Sequence, residues 1–227
     1  MKLTTWRCWV ATVRQVDAQP VFEAAAVERR AVAELLEGLS ESQLATPSLC
    51  AAWDNRTVAA HLAAAVAPSK KPFLLATLRS SGKLNRANDR VARQTARQPV
   101  ADLAGTLRQH AASQFAPPLV GPRGPLTDVL VHAGDIRLPL GLAHHPAQGA
   151  VRLALEFVTE GRPLGFVPRG RLDGLKLIAD DLDWSWGTGP AISGRGIDLL
   201  MATCGRSAVL PSLTGPGVPG LGARLPR

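Results

Sequence analysis

The sequence predicts a mainly α protein, a four-helix bundle followed by a small α/β domain. Apolar residues recur at helical spacing through the first two thirds of the chain, and short Pro-rich, Gly-rich or polar turns separate the segments. Near residue 147 the pattern changes towards strict alternation of apolar and polar residues, the period of a strand. These observations divide the chain into a loose N-terminal leader over 1–21, the bundle over 22–146 and the α/β unit over 147–227.

The first predicted helix runs from Phe22 to Leu39, with Val27, Ala31, Ala33, Leu35, Leu36 and Leu39 as its apolar positions, and the GLSES turn ends it. Asp54 is placed to N-cap the second, DNRTVAAHLAAAVA, and Pro68 stops it. Helices follow at about 71–82, 85–97 and 100–115. Pro99 starts the last of these, and Pro117 and Pro118 end it. Gly124 and Pro125 open the helix LTDVLVHAGDIR, which LPLG closes. In the α/β unit a helix over 148–160 precedes LDGLKLIADDLDWSWG, read as two strands, then the short helix GIDLLMATCG and a short terminal helix. Trp184 and Trp186 share one strand face and fill a core. GTGPAISGRG lacks the lysine of a phosphate-binding loop and its strand-to-helix setting.

Composition narrows the function. A chain of 227 residues with 46% hydrophobic content buries a sizeable core, and it has no apolar run long enough to span a membrane. In the opening MKLTTWRCWVATVRQV, Arg7 and Arg14 interrupt any signal-type apolar stretch. Cys8, Cys50 and Cys204 are far apart and odd in number, which indicates neither a disulfide framework nor a cysteine metal site; a cytoplasmic protein is expected. The net charge of +8 is concentrated in residues 70–97, where Asp89 is the only acid. Arg86, Arg90, Arg93 and Arg97 there fall at i, i+4, i+7 and i+11, one narrow helical stripe. A solvated helix face is the simplest reading, an anion-binding wall the sharper one. With no aromatic residue between Leu78 and His110, sequence-specific nucleic-acid binding is not expected.

The chemistry concentrates in TDVLVHAGD, residues 127–135. On a helix Asp128, His132 and Asp135 stand at i, i+4 and i+7, beside an apolar face of Val129, Leu130, Ala133 and Ile136. His61 belongs to the stripe Val58, His61, Leu62, Ala65 of the second helix and is expected to point inward. Taken singly, each histidine reads as a satisfied core group. Brought together by a bundle, His61, Asp128 and His132 form a set suited to zinc or another divalent metal with one position open. Asp135 would orient a ligand histidine or hold the helix end. His110, near Leu103 and Leu107, is the rival ligand. His144 and His145 are expected in an exposed loop. Cys50, just before the second helix, reads as a buried structural cysteine with no base beside it.

TPSLCAAWDNRTVAAHLAA resembles the segment around the first metal-binding histidine of the mycothiol-dependent maleylpyruvate isomerase family, whose N-terminal domain is a DinB-like four-helix bundle. TDVLVHAGDIRLPLG resembles that family's second metal-binding helix, and LDWSWGTGP with GIDLLMATCGR is similar to its C-terminal domain, so the resemblance covers about 22–225. It implies a divalent metal, zinc first, held by His61, Asp128 and His132, with mycothiol as thiol cosubstrate. At the acidic position the family pattern has Glu where this chain has Asp128, shorter by one methylene. The implied reaction is attack of a metal-activated thiolate on a small, acidic electrophile, giving isomerisation or S-transfer. Arg86, Arg90 or Arg137 would then hold the acid. The alternative is a noncatalytic DinB-like bundle that binds a metal, a small ligand or a partner.

Overall fold

The computed structural model describes residues 18–80, 83–117, 120–161 and 163–226, so most of the expected leader, with Cys8, and Pro118 lie outside the described residues. Helix α1 (Ala18–Glu37) begins before Phe22, because Val21 already packs in the core with 1% exposure. Its buried face also differs from the expectation. Val27 is 56% exposed, whereas Glu28 and Arg29 turn inward. Arg29 is tolerated there because its guanidinium donates to the carbonyl oxygens of Ala111 (2.7 Å) and Ser113 (2.9 Å).

After the single turn α2 (Glu41–Leu44), capped by Ser40, comes α3 (Asn55–Val66). The Asp54 carboxylate accepts from Thr57 N at 2.8 Å, the N-cap that the sequence predicts. Helices α4 (Lys71–Arg79) and α5 (Leu84–Thr95) form a hairpin held by a small cluster of Ala76, Ala87 and Val91 with Ala64 and Phe73. Helix α6 (Val100–Gln109) is shorter than expected. The carbonyls of Ala111 and Ser113, just past its end, serve Arg29 instead of continuing the helical ladder.

Helix α7 (Arg123–Arg137) is central, and it starts slightly earlier than expected, with Pro125 in its first turn, where no backbone donor is needed. Val129, Ala133 and Ile136 join a core with α1, α3 and α6, while Leu126, Leu130 and Val131 join a second core. That second core contains Val21 and Ala25 of α1, helix α8 (Gln148–Glu160), helix α9 (Gly196–Thr203) and a sheet. The sheet has three strands, β1 (Lys176–Ala179), β2 (Trp184–Gly187) and β3 (Ala191–Gly194), in the order β2-β1-β3. β1 is antiparallel to β2 and parallel to β3, so Leu177 lies opposite Trp186 on one side and Ile192 on the other. β3 is formed by the AISG segment, for which the sequence predicts no strand because it is too short to show alternation. Trp184 is 9% exposed in the core and Trp186 packs against it. Helix α10 (Val218–Gly222) closes the chain. No described helix is long and apolar enough to cross a membrane.

Candidate metal centre

Helices α3 and α7 pack side by side, with Ala59, Ala60 and Ala63 buried on the first and Ala133 on the second. His61 projects from α3 towards Asp128 and His132 on α7. Ala65, placed by sequence in the same buried stripe as His61, is exposed. The donor atoms of His61, Asp128 and His132 lie within 4.8 Å of one another. His61 Nε2 is 3.4 Å from Asp128 Oδ2, and His132 Nε2 is 3.5 Å from Asp128 Oδ1. Both separations are long for a hydrogen bond. Each histidine faces a different oxygen of the Asp128 carboxylate, so the two imidazoles flank one acid. The donor chemistry and its spacing therefore fit a divalent metal.

The far side of His132 is also fixed. Its Nδ1 lies 2.8 Å from Asp135 Oδ2, so Nδ1–H donates to the carboxylate and Nε2 is the ring nitrogen that faces Asp128. Asp135 in turn accepts from Arg206 Nε at 2.9 Å and Nη2 at 2.6 Å, while Arg206 Nη1 donates to Cys204 O at 2.7 Å. Trp53 packs on both imidazoles, its ring centroid 5.3 Å from that of His61 and 6.2 Å from that of His132. The indole N–H donates to Asp89 Oδ1 on α5 at 2.8 Å.

The electrostatics follow from these contacts. Burial opposes the Asp128 charge, but His61, His132 and Arg206 outweigh it and hold the carboxyl at about 2. Burial disfavours protonated His61, and Asp128 more than offsets that, raising its pKa. Asp135 is likewise held below the usual range against its burial by His132 and Arg206. Burial pushes the Cys50 thiol up to about 11, with Asp135 adding to the shift, so it is protonated at neutral pH.

The remaining candidates lie elsewhere. His110 caps the end of α6, apart from the donor group. Arg137 donates to Ala143 O and its charge faces Glu28 and His144. Arg86 and Arg90 stand on the exposed face of α5. His144 is buried rather than exposed, donating from Nε2 to Leu130 O at 3.0 Å, whereas His145 is exposed. Cys50 does have a base nearby, because its sulfur lies within 4.8 Å of donor atoms of His132 and Asp135. The sequence reading missed Trp53 and Arg206 altogether. Trp53 stands in the quoted segment CAAWD and Arg206 in GIDLLMATCGR, but no periodicity links either to α7.

A family model described as the mycothiol maleylpyruvate isomerase N-terminal domain matches residues 25–137, a span that holds all three donors. Residues 25–137 therefore match the N-terminal domain of the mycothiol maleylpyruvate isomerase family. Two solved structures share the fold of this chain. One is a mycothiol-dependent maleylpyruvate isomerase, 14% identical, with a TM-score of 0.57 over 88% of this chain and 92% of that one. The other is a histidine-to-alanine mutant of a mycothiol-dependent maleylpyruvate isomerase, 13% identical, with a TM-score of 0.58 over the same shares. No curated protein matches the sequence. The likeness extends past α7 into the sheet, so the mainly helical architecture with a small three-stranded unit is the family's fold.

Proposed function

We propose that the protein is a cytoplasmic, divalent-metal, thiol-dependent enzyme in which a mycothiol sulfur attacks a small electrophile. The observation that supports this most directly is the grouping of the His61, Asp128 and His132 donor atoms within 4.8 Å of one another, with His132 Nδ1 held by Asp135. A divalent ion at that point, zinc being the first choice for this donor set, supplies the Lewis acidity that makes a bound thiol a thiolate at neutral pH. The chain's own groups do the rest. Asp135 holds the proton at His132 Nδ1, and Arg206 keeps Asp135 ionised. Trp53 walls the pocket and limits water. Thiolate addition to an electron-poor double bond leaves a single bond that rotates, and elimination of the same thiol returns the trans alkene; stopping at the adduct is S-transfer.

Cys50 does not compete for the nucleophile role, because its burial keeps the thiol protonated. Metal analysis of untagged protein is expected to find one ion per chain, sharply reduced in His61→Ala and in His132→Ala. Full occupancy in both variants would refute the ligand assignment. Metal-loaded protein is then incubated with mycothiol and a panel of cis-alkene acids. Turnover that requires both metal and thiol supports the enzyme, and a metal signal that mycothiol never perturbs would leave a noncatalytic metal-binding bundle.

A further inference from the structure

The α4–α5 hairpin carries charge that the metal centre does not use. Arg79, Arg86, Arg90, Arg93 and Arg97 line one shallow, open groove, with Asp89 as its only acid. Arg86, Arg90 and Arg93 lie along one face of α5 over about 10 Å, and Arg97 stands two residues past its end. Among the described residues Arg79, Arg86, Arg90 and Arg97 have no ion pair and no side-chain hydrogen bond. Like charges at this spacing oppose helix formation, and a face that served solubility alone would interleave acids. Planar guanidinium forks in a row suit the tetrahedral oxygens of linked phosphates. No aromatic side chain lines the groove, so nothing there stacks a base. Beside the stripe, α4 exposes Leu74, Leu75 and Leu78 at 62%, 46% and 70%. A long nucleic-acid backbone leaving α5 on that side would meet leucines rather than cations.

One of the five arginines is tied to the metal pocket. Arg93 Nε donates to Asp89 Oδ1 and Nη2 to Ala52 O, both at 2.8 Å. Ala52 has φ 67°, a left-handed backbone unusual for alanine, so Arg93 helps hold a strained turn that carries Cys50 and Trp53. Asp89 is also the acceptor for the Trp53 indole, whose ring packs on His61 and His132.

We propose that this arginine groove binds a small oligophosphate, and that Arg93, Asp89 and Trp53 link its occupancy to the metal pocket. A phosphate that engages Arg93 competes with Asp89 and Ala52 O, and that releases the brace on Trp53. The binding itself does not depend on the proposed activity. The experiment therefore uses metal-stripped full-length protein titrated calorimetrically with inorganic triphosphate at about 0.15 M salt. Saturable binding at one site is expected, weakened at least about tenfold in the double variant R86A/R90A and unchanged in R152A on α8. D89N is expected to bind several-fold more tightly, because a competing carboxylate is gone. ATP is expected to bind no more tightly than triphosphate, since its base finds no partner. Absence of saturable binding at millimolar triphosphate, or binding that R86A/R90A leaves intact, would overturn the site. A short single-stranded DNA binding more than about tenfold tighter than triphosphate would make the groove a nucleic-acid surface instead. The link is read from tryptophan fluorescence during the same titration. A change that disappears in W53F supports it, and an unchanged spectrum on saturation overturns it.

Discussion

Asp135 has no solvent-exposed side-chain surface, yet it stays ionised because the imidazole of His132 and two N–H groups of Arg206 enclose it. Asp135→Asn would leave the Arg206 guanidinium without its counter-charge, at a cost of about 3–5 kcal/mol. It would also remove the group that fixes His132, weakening metal affinity about 10–100-fold. Urea unfolding and a competitive metal titration test both effects; lost stability with unchanged affinity would show that Asp135 is structural only. The Asp135–His132 contact was legible, because i and i+3 meet on a helix. Arg206 was not, since it lies 71 residues further on and only tertiary packing brings it there. His144 shows the opposite failure. Its loop position suggested exposure, but it is buried, and burial depresses its pKa from 6.5 to about 4. The unfolded chain therefore binds this proton first, so stability is full above about pH 6.5 and falls by about 3 kcal/mol as the pH drops to about 4. His144→Gln, which can keep the bond to Leu130 O, is expected to flatten that limb of a pH–stability curve. A limb equally steep in the variant would assign it to other groups.

Among the elements, α7 bears the most constraint, because it packs into both cores and also supplies two of the proposed metal donors. Gly134 is where its close approach to α9 is decided. A Cβ there would stand 2.8 Å from Met201 Sδ and Cε and 3.0 Å from His144 Cδ2. Alanine would gain about 1 kcal/mol of helix propensity and lose about 1–3 to overpacking, partly relieved by the flexible Met201. Gly134→Ala is thus expected to be destabilising by about 1 kcal/mol and Gly134→Val by distinctly more, read as shifts of the thermal midpoint; a stabilised alanine variant would contradict the close approach. Elements of this kind were readable where the signal is local. Asp54 marks the start of α3, and the 3.6 period marks α7. The end of α6 and the inward face of α1 were not, because both depend on Arg29 reaching carbonyls 82 and 84 residues away. β3 was missed because four residues with a glycine carry too little alternation to recognise, and its pairing with β1 is a long-range event.

At the scale of the whole molecule, the second core crosses the boundary expected near residue 147. Val21, Ala25, Leu126, Leu130 and Val131 pack with α8, α9 and the sheet. A chain ended at residue 146 would expose those side chains, and it is expected to keep helical far-UV dichroism but to bind hydrophobic dyes and lose a sharp thermal transition. Native near-UV dichroism and cooperative melting of that fragment would show that the bundle stands alone. The dependence also has a temporal side. Translation delivers His61, Asp128 and His132 before Arg206, so a nascent chain owns every proposed metal donor while Asp135 still lacks its guanidinium. At ordinary elongation speeds the 71 residues between them take about 4–14 s. With the proposed ligand set, an ion captured in that interval would be held by a histidine whose anchor is loose, and the arrival of Arg206 would tighten that hold.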